Sequence, residues 1–143
     1  YEKKLVEKND IEKIINDMKA NKIQGINVTV PFKKMVIPLL DQLSDTAKKT
    51  QSVNTIFKKQ NKLVGDNTDV YGFSEAIQIT NLNLSNKKAL ILGAGGVVPS
   101  IILALKNMGI FEITLSTFIL GRMCLGKLIK IPIAAVKPQK AKT

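Results

Sequence analysis

The first six residues, YEKKLV, suit a short strand, and Asn9 or Asp10 can cap the helix that follows. Ile11, Ile14, Ile15 and Met18 recur at helical spacing and predict one apolar stripe. Residues Ile23 to Val30 are rich in β-branched types and predict a strand ending at Pro31. Proline fits the first turn of a helix, so Lys33 to Leu40 is expected to be helical until Pro38 kinks or ends it. Ser44 can cap a short helix to Thr50, and two strands, Val53 to Lys58 and Lys62 to Gly65, are expected around a turn at Gln60-Asn61.

A polar DNTD loop comes next, and Asp69 opens a helix whose stripe is read as Phe73, Ala76, Ile77 and Ile79. The stretch TNLNLSN (80–86) reads as a lobe boundary. Beyond it, Lys88 to Leu92 lacks alternation, as expected of a strand buried on both faces. GAGG follows directly, then a helix from about Val97 to Met108 that can end on a left-handed Gly109, then a strand from Phe111 to Ser116. The unit is β-α-β. From Thr117 the periodicity is lost, and at most a weak basic amphipathic segment is expected there.

Composition narrows the possibilities. The 143 residues are 45% apolar, enough for a packed core. The net charge of +11 is unevenly placed: residues 1–112 hold 16 Lys and all 11 acids, whereas residues 113–143 hold six basic residues and no acid. Half of the excess therefore belongs to the tail and says little about partners. With no His and only Cys124, zinc clusters, a Cys/His pair and an internal disulfide are excluded. Proton transfer must then fall to Lys, Asp, Glu, Tyr or Cys, and a reducing cytoplasm is the expected setting. No signal-peptide pattern is visible at the start, and Arg122, Lys127, Lys130 and Pro132 interrupt the apolar stretch 118–136, so no spanning helix is expected.

Three motifs can carry chemistry. In LILGAGGVV, Gly93, Gly95 and Gly96 let a strand turn tightly into a helix and let backbone approach a diphosphate at the helix N-terminus. A structural glycine turn is the alternative, because Val98 replaces the usual third small residue. The acid that reads the ribose in NAD sites is also missing: Ser116 and Thr117 occupy its region, and Glu112 lies at the wrong end of the strand. In Asn27-Val28-Thr29-Val30-Pro31-Phe32-Lys33, the expected helix start places a lysine at the positive end of the dipole, which points to a purpose beyond stability. In Gly65-Asp66-Asn67-Thr68-Asp69, Asp66 can serve a turn and Asp69 a helix start. Taken singly, the last two motifs read more readily as a solvated lysine and a capped loop, and they gain weight only together.

Through GINVTVPFK (Gly25 to Lys33), SVNT (Ser52 to Thr55), GDNTD (Gly65 to Asp69) and LGAGGVVPS (Leu92 to Ser100), in matching order and spacing, the chain resembles the shikimate dehydrogenase family over Tyr1 to about Ser116. The resemblance implies an α/β fold: an incomplete N-terminal substrate-binding lobe (1–80), the start of a Rossmann-like NADP-binding lobe (81–116) and an atypical basic tail (117–143). It implies reversible NADPH-dependent reduction of 3-dehydroshikimate to shikimate, in chorismate and aromatic amino-acid biosynthesis. Lys33 stands where the family has its catalytic lysine and Asp69 where it has the partner aspartate, both touching substrate. Asn54 and Thr29 stand at substrate-hydroxyl and carboxylate contacts, and Gly93, Ala94, Gly95, Gly96 and Val97 match the diphosphate loop. A ketone reduced by hydride develops an alkoxide, to which protonated Lys33 can supply both charge and proton. The implied partner is a small molecule, with no nucleic acid, no membrane and no metal, in a cytoplasmic monomer or homodimer.

Departures accompany the matches. The family's Ser-x-Ser substrate motif would precede Tyr1, and its Asn-Arg-Thr segment, whose Arg reads the NADP 2′-phosphate, is replaced after Ser116 by Thr117-Phe118. The late substrate glutamine has no counterpart. The expectation is a central piece of a family member with a foreign or out-of-frame tail, inactive by itself and with exposed sheet edges. The quinate/shikimate branch using NAD is the alternative enzyme. A basic nucleic-acid or membrane-binding fragment driven by the tail is the alternative class, although Phe118 is the only ring after Phe111 and offers no stacking surface.

Overall fold

The computed structural model describes residues 1–116 and 128–130. Its helices and strands, in chain order, are α1 (Ile11–Lys19), β1 (Gly25–Asn27), β2 (Gln42–Leu43), α2 (Asp45–Thr50), β3 (Thr55–Lys59), β4 (Lys62–Asp66), α3 (Asp69–Ile79), β5 (Ala89–Leu92), α4 (Val98–Asn107), β6 (Ile113–Ser116) and β7 (Leu128–Lys130). They build two sheets, one ordered β1-β3-β4-β2 and one ordered β5-β6-β7.

In the first sheet β3 is antiparallel to both β1 and β4, while β2 runs parallel to β4. Gln60 and Asn61 form the β3-β4 turn with φ of 49° and 62°, the left-handed pair a two-residue hairpin needs. Ile11, Ile15 and Met18 bury one face of α1 against Val28, Val36, Val53, Ile56 and Leu63, while Ile14 stays half-buried. The stripe read from the sequence is the face that packs.

Gly65, on β4, is dictated by this core. A Cβ built there would lie 2.5 Å from Leu40 Cδ1, 2.9 Å from Val53 Cγ2 and 3.0 Å from Leu43 Cδ2. Gly65→Ala is expected to lower unfolding stability by roughly 1 to 3 kcal/mol through overpacking. A urea midpoint unchanged from the parent would contradict that packing.

Several expectations are corrected. Residues 1–6 form no strand, and among the described residues no strand pairs with them to share a hydrogen-bond ladder. Instead Leu5 and Val6 line a mostly apolar cavity of about 250 Å³, shared with Ile15, Ile26, Val28 and Phe32. The strand expected over residues 23–30 is regular only at Gly25–Asn27; Val28 adds one bond to the Asn54 carbonyl (2.7 Å), and the Val30-Pro31 peptide is cis.

No α-helix runs from Lys33 to Leu40. The segment makes successive turns and a single 3₁₀ turn at Ile37–Leu39. Pro38 lacks an N–H and its ring opposes the carbonyl of Lys34, leaving too few residues after Pro31 for an α-helix. The dipole penalty expected for Lys33 therefore does not arise.

The second sheet begins with β5 and β6 parallel across the crossover helix α4, and β7 adds antiparallel to β6. Gly109, at φ 85°, follows the last turn of α4 as a left-handed C-cap. Leu105, Ile110 and Ile113 form a second core, against which Phe73 and Ile91 pack. β5 is not buried on both faces: Leu90 and Leu92 are 60% and 70% exposed, since no helix among the described residues covers that side. On α3 the buried face is Val70 with half-buried Phe73 and Ile77, while Ala76 and Ile79 point outward. The expected amphipathic segment of the tail lies outside the described residues apart from β7.

Candidate active site

Each motif reaches the site by a different local device. The turns after Pro31 present Lys33, whose carbonyl accepts the Val53 N–H at 2.9 Å and is thereby tied to the start of β3. Next to Val53, Asn54 donates its backbone N–H to the Asp66 carbonyl (3.0 Å). Asp69 is the first residue of α3, where the positive end of the dipole favours a carboxylate. Its N–H is accepted by Asn67 Oδ1 at 3.1 Å, an Asx turn that starts the helix.

These backbones bring the side chains together. Lys33 Nζ donates to Asp69 Oδ2 at 2.7 Å, with the lysine 15% and the aspartate 24% exposed. Asn54 Nδ2 donates to the other oxygen, Oδ1, at 2.8 Å, and Asn54 Oδ1 accepts the Thr68 N–H at 2.9 Å. The carboxylate is therefore gripped from both sides, while the ammonium keeps further hydrogens and remains reachable from solvent. Such a pair can present a proton and a hydrogen-bond acceptor to the same small polar molecule.

Thr29 is exposed, borders the apolar cavity, and accepts the Phe32 N–H through its carbonyl (2.9 Å). It stands near the pair in sequence without joining its hydrogen bonds.

The glycine loop reaches the same region from the second sheet. A Cβ on Gly96 would sit 3.5 Å from Val30 Cγ2, so Gly96 lies against the segment that carries Thr29 and Lys33. Gly93 takes φ 105°, which an L side chain rarely adopts, and Gly95 has open space where a side chain would be. The Gly93 N–H bonds the Ser116 carbonyl at 2.8 Å, closing the strand end. Among the described residues the N–H groups of Ala94, Gly95, Gly96 and Val97 meet no backbone acceptor. Glu112 pairs with Lys88 at 2.9 Å at the opposite end of the strands, as its position implied.

A family model described as shikimate dehydrogenase substrate binding domain matches residues 1–56. The shikimate dehydrogenase (NADP(+)) of Pelagibacter ubique is 57% identical over 116 residues, covering 81% of this chain and 44% of that protein. The chain is similar to shikimate dehydrogenases over 116 of its 143 residues. Solved family structures agree with its mixed α/β fold. Shikimate dehydrogenase from Aquifex aeolicus is 40% identical with a TM-score of 0.71, covering 77% of this chain and 41% of that one. Shikimate 5-dehydrogenase from Thermus thermophilus, in complex with NADP(H) and shikimate, is 30% identical with a TM-score of 0.68, covering 77% and 41%. The chain thus spans less than half the length of the family relatives it matches.

Sequence reasoning missed part of this site. Asn67, 2% exposed, also places Nδ2 at 3.0 Å from each of Thr50 Oγ1, the Ser52 carbonyl and Ser100 Oγ, three acceptors for its two hydrogens. Two signals were available in the sequence. Asn67 sits two residues before a helix start, the usual Asx-turn position, and Ser100 is a lone hydroxyl in the apolar run VVPSIILAL.

Proposed function

We propose that the protein carrying this chain is an NADP-dependent shikimate dehydrogenase, interconverting 3-dehydroshikimate and shikimate in chorismate and aromatic amino-acid biosynthesis. The reading rests on one observation above all: Lys33 and Asp69, 36 positions apart, meet at 2.7 Å, and the glycine loop's Gly96 lies against Val30, three residues before Lys33. In this reading residues 1–80 are the substrate lobe and 81–116 the start of the nucleotide lobe.

The glycine loop fits a dinucleotide. Its glycines leave the approach open, and residues 94–97, whose N–H groups meet no backbone acceptor among the described residues, come just before the α4 N-terminus, where the helix dipole favours a diphosphate. NADPH, when bound, is a hydride source for a carbonyl carbon. Lys33 holds the proton for the oxygen that becomes an alkoxide, and its charge stabilises that oxygen as negative charge develops. Asp69 orients the ammonium and accepts a substrate hydroxyl, Asn54 holds Asp69 and contacts a second hydroxyl, and Thr29 serves the carboxylate. The protein works as a cytoplasmic monomer or homodimer on a small molecule, without nucleic acid or membrane; no described helix is long and apolar enough to cross a membrane.

Steady-state assays of the intact protein carrying this chain, with shikimate and quinate against NADP and NAD, test the reading. Shikimate with NADP is expected to give the highest kcat/KM of the four combinations. Preference for quinate with NAD would reassign the substrate and cofactor. No turnover in any combination would overturn the enzyme reading.

A further inference from the structure

Among the described residues, Asn67 is the most thoroughly bonded side chain outside the Lys33-Asp69-Asn54 group, linking the GDNTD loop to α4 through Ser100. Its amide orientation is set by chemistry: the Ser52 carbonyl can only accept, and the Asp69 N–H can only donate. Ser100 Oγ lies 3.0 Å from Nδ2 and 3.2 Å from Oδ1, so it can accept from one or donate to the other. Both residues are buried, Ser100 completely.

Ser100 lies in the first turn of α4, three residues beyond the last of the glycine-loop N–H donors at Val97. Asn67 holds the N–H of Asp69, and Asp69 in turn holds Lys33. A path of hydrogen bonds, joined through the covalent frame of Asp69, thus runs from the start of α4 to the proton-handling pair. Packing of α4 on α3 and on α2 keeps the two ends together. Buried amides in such a path resist displacement because any shift leaves a polar group without a partner.

We propose that Asn67 and Ser100 are positioning residues, whose mutual hydrogen bond sets the Lys33-Asp69 pair against the glycine loop. This rests on the reading of Lys33 and Asp69 as the proton-handling pair. Asn67 and Ser100 are buried, so their effect is on geometry; misplacement of reacting groups by about 1 Å can cost 10²-fold in rate.

Amide hydrogen exchange by NMR on the 143-residue chain gives a readout independent of turnover. In the parent chain the Asp69 amide and the Asn67 side-chain amide are expected to be strongly protected; exchange at the rate of free amides would overturn the proposal. In Ser100→Ala, the Asp69 amide is expected to exchange at least tenfold faster while the Ile56 amide of β3 changes less than twofold. Equal acceleration at both sites, or none at Asp69, would make the bond merely structural and sink the idea. Should Ser100→Ala fail to fold, Ser100→Thr carries the test: its retained hydroxyl is expected to keep parental exchange at Asp69, and faster exchange there with Ile56 unchanged would overturn it. In the intact protein, Ser100→Ala is expected to lower kcat about tenfold with both KM values within twofold; a KM effect at constant kcat contradicts positioning. Failure of the function reading would show as full turnover in Lys33→Ala, with these exchange results unaffected.

Discussion

Replacing Lys33 with alanine in the intact protein is expected to lower kcat by roughly 10²- to 10⁴-fold, the usual contribution of a positioned general acid or base. The loss should appear in kcat more than in KM, because the ammonium does most where negative charge develops on the reacting oxygen. Lys33→Arg should not restore the rate. A guanidinium keeps the positive charge but does not give up its proton in a protein, so it cannot act as the donor. The fold should survive both changes, since Lys33 contributes its backbone carbonyl to Val53, a bond independent of the side chain. The Lys33-Asp69 pair is neither fully buried nor freely solvated, and its loss is worth about 1 kcal/mol of stability, near the upper end for surface pairs. Circular dichroism together with steady-state kinetics separates the two effects. A folded Lys33→Ala protein with kcat within threefold of the parent would remove Lys33 from the mechanism.

The second large effect concerns stability. Asn67→Ala is expected to lower the unfolding free energy by roughly 2 to 4 kcal/mol, because truncation leaves two groups without partners and removes two further bonds. The Asp69 N–H and the buried Ser100 hydroxyl lose their side-chain partner, while the Thr50 hydroxyl and the Ser52 carbonyl lose the amide but keep each other at 3.3 Å. The neighbouring Ser52 hydroxyl is already buried with no partner among the described residues, so the pocket has little polar capacity to spare. Against a typical total of about 5 to 15 kcal/mol, this is a substantial fraction. Urea denaturation should show a lower midpoint at unchanged slope, which marks lost stability rather than a changed unfolded state. The exposed Gln78→Ala change serves as control and should stay within about 0.5 kcal/mol of the parent. An Asn67→Ala midpoint equal to that of the control would show that the buried amide contributes nothing net.

The legible parts of the fold were those with local causes. Helix α1 follows from three apolar positions at helical spacing, α2 from the Ser44 hydroxyl that accepts the Ala47 N–H, and the β3-β4 hairpin from Gln60-Asn61. The β5-α4-β6 unit follows from a glycine turn and a glycine C-cap. The illegible parts depend on partners. Residues 1–6 have suitable side chains for a strand but no pairing strand among the described residues, and the two-residue β2 exists only because it lies parallel to β4. Leu90 and Leu92 read as buried because hydrophobicity records a preference; burial also requires another element to cover that face.

The same division runs through the site. By itself the sequence determined which residues are available for chemistry: without histidine, proton handling falls to lysine and carboxylate, and four motifs in register give Lys33, Asn54, Asp69 and the glycine loop their resemblance to one family. Residue type and order are local facts, and they suffice for that much. Only the tertiary structure decided that Lys33 faces Asp69 from a turn instead of a helix, that Asn54 completes the grip, and that Asn67 reaches Ser100 across 33 positions. Those contacts depend on how α3 and α4 pack and on which polar groups become buried together. Both are set by the folded chain as a whole, because a buried amide must find its partners wherever the packing brings them.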